Sequence, residues 1–177
     1  MDKRPTWQEY FVNIVNAIAA RGTCDRGQSG AVIVKDNDIV STGYVGSAAG
    51  DDHCDDVGHK YEYRLKTLTL DECDVNSVID GSRILAISQH NISQHCIRTI
   101  HAEQNAICQA AKNGHVVKGA TMYCSMVPCN SCAMMIINCG IKEVIALKEY
   151  QTSEHTKALF IKCGVKLTII DSTLNSY

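Results

Sequence analysis

Proline occurs only twice in the 177 residues, and charged side chains make up 20% of them against 45% apolar. That balance excludes a disordered or low-complexity chain, which is poor in apolar residues and rich in proline and charge. An excess of positive charge is also missing. Lysine and arginine number 17 against 19 acidic residues, the formal charge is −2, and no Lys/Arg-rich block occurs. A protein that holds long DNA or RNA carries a basic face, so no nucleic-acid polymer is expected and a nucleotide-sized ligand is. No run of 18 apolar residues exists, which excludes a membrane-spanning helix of ordinary length. The start, Met1-Asp2-Lys3-Arg4-Pro5, is polar and lacks the pattern of a secretory signal. The chain is therefore expected in the cytoplasm, the host's if its origin is a phage. It contains no internal repeat.

What remains suits one domain over 1–177 with a sizeable core. Ten cysteines are present. In a cytoplasmic chain, metal binding or catalysis explains them better than disulfides. Cys108, Cys124, Cys139 and Cys163 sit within apolar runs and are expected to be buried as small hydrophobes.

Thr6-x-x-Glu9 is a capping box, and Phe11, Val12, Ile14, Val15, Ile18 and Ala19 follow at helical spacing up to Arg21-Gly22. Gly30–Val34 and Ile39–Tyr44, separated by Asp36-Asn37-Asp38, predict a hairpin. From about 47 to 96 the periodicity weakens into a long insertion rich in His and Cys, with a short strand expected at Ser82–Ser88. Helices are then expected at Ile100–Lys112, Cys129–Cys139 and Glu154–Lys162. They alternate with strands at Ala120–Ser125, Val144–Leu147 and Lys166–Ile170. Strands alternating with ten-residue helices imply crossovers and parallel pairing. The fold class is α/β, with helices on both faces of a mixed five-stranded sheet.

Two motifs carry chemistry. His101-Ala102-Glu103 opens one helix and Pro128-Cys129-Asn130-Ser131-Cys132 opens another. Cys129 and Cys132 suit one tetrahedral zinc with His101 as third ligand, which leaves the fourth position for water, as in catalytic sites. Helix N-termini favour the thiolate form that ligates. Glu103, two residues past His101, is placed to move protons between the activated water, a ring nitrogen and a departing amine. Either motif alone is weak: a lone Cys-x-x-Cys also suits a redox pair or half of a structural zinc site. Together, in this order at two successive helix starts, they are recognised as the signature of zinc-dependent base deaminases.

At these residues the chain resembles the zinc-dependent cytidine/deoxycytidylate deaminase superfamily, and within it the phage and bacterial deoxycytidylate deaminases. The likeness extends over Arg4-Pro5-Thr6-Trp7, Glu9-Tyr10-Phe11, Thr23-Cys24-Asp25-Arg26, Gly30–Val34, Gly43-Tyr44-Val45-Gly46, His95–Ile100 and Glu103–Ile107. It implies a three-layer α/β/α sandwich and hydrolysis of dCMP to dUMP and ammonia, supplying dUMP for thymidylate synthesis. It further implies a homo-hexamer activated by dCTP and inhibited by dTTP, with Mg2+ accompanying the nucleotide effectors. Arg26, Val45, Ala102 and Tyr150 become candidate substrate contacts. Gly43, Tyr44, Gly46 and Lys112 become candidate effector contacts. Cys24, Cys54 and His95 fall near positions where phage members hold a structural metal, so a second zinc is expected there, with His59 or Cys96 able to complete it. One departure stands out: Val45 replaces the asparagine of the family's Gly-Tyr-Asn-Gly, and its side chain cannot hydrogen-bond. Two other functions compete. A deaminase of cytidine, guanine or tRNA adenosine would share the zinc motif. A non-catalytic zinc-stabilised binding module would want four protein ligands and has no use for Glu103.

Overall fold

The computed structural model describes residues 4–65, 92–150 and 153–175. It divides into two compact units, one of Met1–Gly58 with Thr99–Tyr177 and the other of His59–Arg98.

The first unit opens with α1 (Trp7–Ala19). The Glu9 N–H donates to Thr6 Oγ1 at 3.2 Å and the Thr6 N–H donates to Glu9 Oε2 at 2.7 Å, the reciprocal cap read from the sequence. β1 (Gly30–Lys35) and β2 (Asp38–Tyr44) form the expected hairpin. Asp36 and Asn37 turn it with φ of 53° and 67°. Both lie in the left-handed region that tight hairpins need and that short Asp and Asn side chains tolerate. β3 (Gly46–Ser47) and α2 (Cys54–Val57) follow.

The chain resumes in this unit with β6 (Thr99–Ile100), α3 (Ala102–Lys112), β7 (Thr121–Met126) and α4 (Asn130–Asn138). β8 (Glu143–Tyr150), α5 (Glu154–Cys163) and β9 (Lys166–Asn175) complete it. The main sheet runs β2-β1-β7-β8-β9. β1 is antiparallel to β2 and β7, whereas β7, β8 and β9 are parallel, joined through α4 and α5. This is the mixed five-stranded α/β sheet expected from the alternation of elements.

Side chains alternate across that sheet and sort its core into two layers. Val32, Val34, Tyr123 and Ile145 pack with Phe11 and Val15 of α1 on one face. Ala31, Ile33, Met122, Cys124, Val144 and Ala146 face the other way, against Ala102 and Ala106 of α3, Ile136 of α4 and Phe160 of α5. The result is three layers, α1 over the sheet over α3, α4 and α5.

Some boundaries differ from expectation. The helix expected from Ile100 begins at Ala102, because Ile100 pairs with Gly46 in the short β3–β6 ladder. The last strand continues past Ile170 to Asn175, drawn on by β8, whose Tyr150 pairs with Asn175. Of the four cysteines expected in the core, Cys124 is buried, Cys139 is half-buried, and Cys108 and Cys163 are exposed. Cys108 lies on the outer side of α3, opposite its buried Ala106 and Ala110, and Cys163 ends α5.

In the second unit, β4 (Tyr61–Leu65) and β5 (Ile92–Cys96) form an antiparallel ladder, with Tyr61 opposite Cys96 and Leu65 opposite Ile92. The strand expected at Ser82–Ser88 lies outside the described residues.

Candidate active site

His101 and Cys129 are the N-cap residues of α3 and α4, each with extended backbone (φ/ψ −68°/152° and −65°/166°). Cys132 is the third residue of α4. An N-cap side chain projects over the free N–H groups of its own helix, so two adjoining helix starts deliver all three side chains to one place. His101 Nδ1 lies 3.5 Å from Cys129 Sγ and 3.4 Å from Cys132 Sγ. All three ligand atoms fall within 4.8 Å of one another.

That spacing can be tested against zinc. A nitrogen and a sulfur held at ordinary zinc bond lengths and a tetrahedral angle stand about 3.6 Å apart. The two observed nitrogen–sulfur separations match this, so the three side chains are compatible with a tetrahedral ion. Cys132 is buried, Cys129 half-buried and His101 exposed, so the group opens outward on the histidine side. No further His, Cys, Asp or Glu joins it among the described residues. Three protein ligands are what a zinc keeping an open position requires.

The protonation of the group fits the same reading. The hydrogen bond from Cys132, with support from His101, pulls the Cys129 thiol down to about 4. The same contact, together with burial and Glu103, pushes Cys132 up. A cation bound between the two sulfurs would hold both as thiolates. The Cys129 hydrogen bond raises His101, against partial desolvation of the ring by its neighbours.

Glu103 is the second residue of α3 and is only 7% exposed. Burial raises its pKa above the usual carboxylate range, partly offset by the charge of His101. Its carboxyl also meets the Cys132 side chain. It stands beside the three ligands without joining them. Burial favours the protonated form of this carboxyl, and a carboxyl in that setting can carry a proton.

The neighbouring segment is locked to the α3 start. Gly46 pairs with Ile100, one residue from His101, and Ser47 pairs with Thr99. The Asn105 side-chain N–H donates to the Tyr44 carbonyl at 2.8 Å, and Ser41 Oγ donates to the Ala106 carbonyl at 2.8 Å. Gly43 lies so close to the helix that a Cβ there would stand 2.3 Å from the Ala102 carbonyl oxygen and from the Ala106 nitrogen. Gly43 and Tyr44, at the end of β2, and Gly46, in β3, are therefore set beside the start of α3. Asn105 and Ser41 were not singled out from the sequence, where nothing in their spacing marks them.

The other candidate residues are placed as follows. Val45 is buried, its N–H donating to the Ser29 carbonyl and its carbonyl accepting from the Thr23 N–H. Ala102 is buried under Gly43. Arg26 is half-buried in the α1–β1 connection, and Tyr150 packs on the core at the end of β8. Lys112 is exposed in the last turn of α3. In the first unit, Cys24 and Cys54 are both buried, with sulfurs within 4.8 Å of one another. In the second unit, His59 and Cys96 likewise offer ligand atoms within 4.8 Å, and His95 lies in β5 opposite Glu62.

The model of the cytidine and deoxycytidylate deaminase zinc-binding region matches residues 5–148. The chain belongs to this deaminase family. Among its relatives is ComE operon protein 2 of Bacillus subtilis, 34% identical over 169 residues, or 96% of this chain and 74% of that one. The deoxycytidylate deaminase of Enterobacteria phage T4 is 34% identical over 152 residues, 81% of this chain and 78% of that one. That of Mycobacterium phage D29 is 31% identical over 146 residues, 82% of this chain and 98% of that one. The deoxycytidylate deaminases of fission and budding yeast are longer, and this chain spans 44% of each. The dCMP deaminase of cyanophage S-TIM5, crystallised with dCMP and dUMP, shares the fold with a TM-score of 0.67 at 22% identity, over 95% of this chain and 99% of that one. The three-layer architecture is thus the fold of the deaminase family. The family's zinc-binding region contains all three side chains of the cluster.

Proposed function

We propose that this deaminase converts dCMP and water to dUMP and ammonia, with zinc on His101, Cys129 and Cys132 and Glu103 moving the protons. The observation that carries the reading is the cluster itself: three ligand atoms at zinc spacing with a buried carboxyl beside them. The name shared by the phage relatives supplies the substrate. Zinc, when bound, acidifies water at neutral pH.

The chain's own residues do the rest. Glu103 accepts a proton from the attacking water as the C4–O bond forms and delivers it to N3 of the cytosine ring. It then takes the second proton from the hydroxyl on C4 and gives it to the amine, so that the C4–N bond breaks and the C4 carbonyl remains. Its burial raises its carboxyl pKa, which favours the proton-carrying form. The segment from Gly43 to Gly46, fastened beside His101, forms one wall for the nucleotide. Ala102 and Tyr150 line it, and Arg26 meets the 5′-phosphate. Ammonia release from dCMP, deoxycytidine, cytidine and guanine tests the assignment. Release confined to dCMP is expected. Equal kcat/KM for dCMP and deoxycytidine would overturn the phosphate requirement, and preference for guanine would overturn the base.

The remaining parts of the proposal extend this reading. dUMP feeds thymidylate synthesis in the cytoplasm. A homo-hexamer responds to dCTP as activator and dTTP as inhibitor, with Mg2+ on the nucleotides and with Tyr44 and Lys112 among the effector contacts. A second zinc is held by the buried pair Cys24 and Cys54.

A further inference from the structure

The two residues before the ligand Cys129 are held from outside the motif. The Val127 N–H donates to the Lys148 carbonyl on β8 at 3.0 Å. Pro128 is fully buried, and its carbonyl accepts a hydrogen bond of 2.9 Å from Thr156 Oγ1 on α5. Thr156 is 0% exposed. α4's own bonding begins one residue later, with the Cys129 carbonyl accepting from the Ala133 N–H. The Pro128 carbonyl therefore lies too early in the chain for the helix to satisfy it, and a buried carbonyl needs a donor. Thr156 is that donor.

The bond has a directional consequence. The peptide joining Pro128 to Cys129 is planar and trans, so its carbonyl and its N–H point opposite ways. Turning the Pro128 carbonyl toward α5 turns the Cys129 N–H away from α5 and sets the backbone from which the Cys129 side chain leaves. Thr156 itself is well anchored. Lys157, the next residue, is ion-paired with Glu149 at the end of β8 and with Glu154 one turn earlier at 2.9 Å. Ser153 Oγ donates to the same Glu149 at 2.9 Å.

We infer that Thr156 is a positioning residue for the zinc centre, aiming Cys129 through the Pro128 carbonyl. This rests on the zinc reading of the cluster above. Its role is to hold the thiolate in place before the ion arrives, as residues behind metal ligands do in other proteins, where losing one costs about 10- to 100-fold in metal affinity or activity.

The test uses the full-length zinc-loaded protein and three variants. Thr156→Val keeps the shape and removes the donor; Thr156→Ser keeps the donor and removes a methyl. Thr156→Ala removes both and replaces Val should that variant not fold. Zinc release to a chromogenic chelator is followed in each, together with the visible spectrum of the cobalt-substituted protein, whose thiolate bands report the geometry at sulfur. Zinc release about tenfold or more faster in Thr156→Val, with shifted cobalt bands, and wild-type behaviour in Thr156→Ser are expected. Unchanged release and spectrum in Thr156→Val or Thr156→Ala would overturn the inference, as would a Thr156→Ser variant that is worse than either. Wild-type protein that holds no zinc dependent on Cys132 would overturn the metal centre itself, and the role of Thr156 with it.

Discussion

Replacing Gly43 by alanine adds one methyl group at the most tightly closed contact between the sheet and α3. The new Cβ would stand 2.3 Å from the Ala102 carbonyl oxygen, 2.3 Å from the Ala106 nitrogen and 2.9 Å from the Asn105 carbonyl carbon. All three are backbone atoms of the first turns of the helix that carries Glu103, so no rotamer change can relieve the clash. Ordinary contact begins near 3.4 Å, and reaching it from 2.3 Å requires the helix start to retreat by about 1.1 Å. Overpacking of this kind costs about 1–3 kcal/mol, and a backbone obstacle belongs at the upper end. For a chain of this size that lowers Tm by about 5–10 °C. The same retreat moves Glu103 and the His101 cap relative to Cys129 and Cys132 on α4. A displacement near 1 Å costs about 100-fold in turnover when it separates catalytic groups. Thermal unfolding followed by circular dichroism and steady-state ammonia release measure the two effects on one preparation. The reasoning is refuted by a Gly43→Ala protein that melts within about 2 °C of wild type and turns over within about twofold of it.

Four further outcomes are expected. Glu103→Ala should keep its zinc and lose about 100-fold or more in kcat, measured by metal analysis beside activity, and normal deamination would remove its assigned role. Asn105→Ala frees the Tyr44 carbonyl from its 2.8 Å bond; at a loss of about 1 kcal/mol, KM for dCMP should rise more than kcat falls, and a change confined to kcat would contradict the place of the β2 end in binding. Metal analysis should find two zincs per chain, one lost in Cys132→Ser with activity and the other in Cys54→Ser without it; a single zinc unaffected by Cys54→Ser would end the second site. Rate-versus-dCMP curves should be sigmoid, become hyperbolic with dCTP and be suppressed by dTTP, whereas hyperbolic curves indifferent to both would mark Val45 as the sign of an unregulated enzyme.

Local chemistry carries much of this protein in its sequence. The capping box at Thr6 and Glu9, the Asp36-Asn37 turn and the Gly164 helix end, at φ 69°, are decided within a few residues, and each formed where its side chains dictate. His101, Cys129 and Cys132, which the fold brings together, stand out in the sequence because a metal site needs particular side chains at particular spacings. Alternating strand and helix patterns were enough for the mixed five-stranded sheet. What depends on partners distant in the chain was not readable. Ile100 reads as helical until Gly46, 54 residues earlier, claims its backbone for a strand. Cys108 and Cys163 look like core residues in apolar runs, yet face outward, since which side of a helix is covered depends on what packs against it. Gly43 is an unremarkable glycine until α3 is pressed onto it, and Asn105, Ser41 and Thr156 are common polar residues until each meets a backbone carbonyl on another element. Those three bonds join residues 61, 65 and 28 positions apart. The ligand types were therefore set by the sequence, and their aim by tertiary packing, because a side chain's identity is local while the direction in which its backbone points is decided by whatever the fold brings against it.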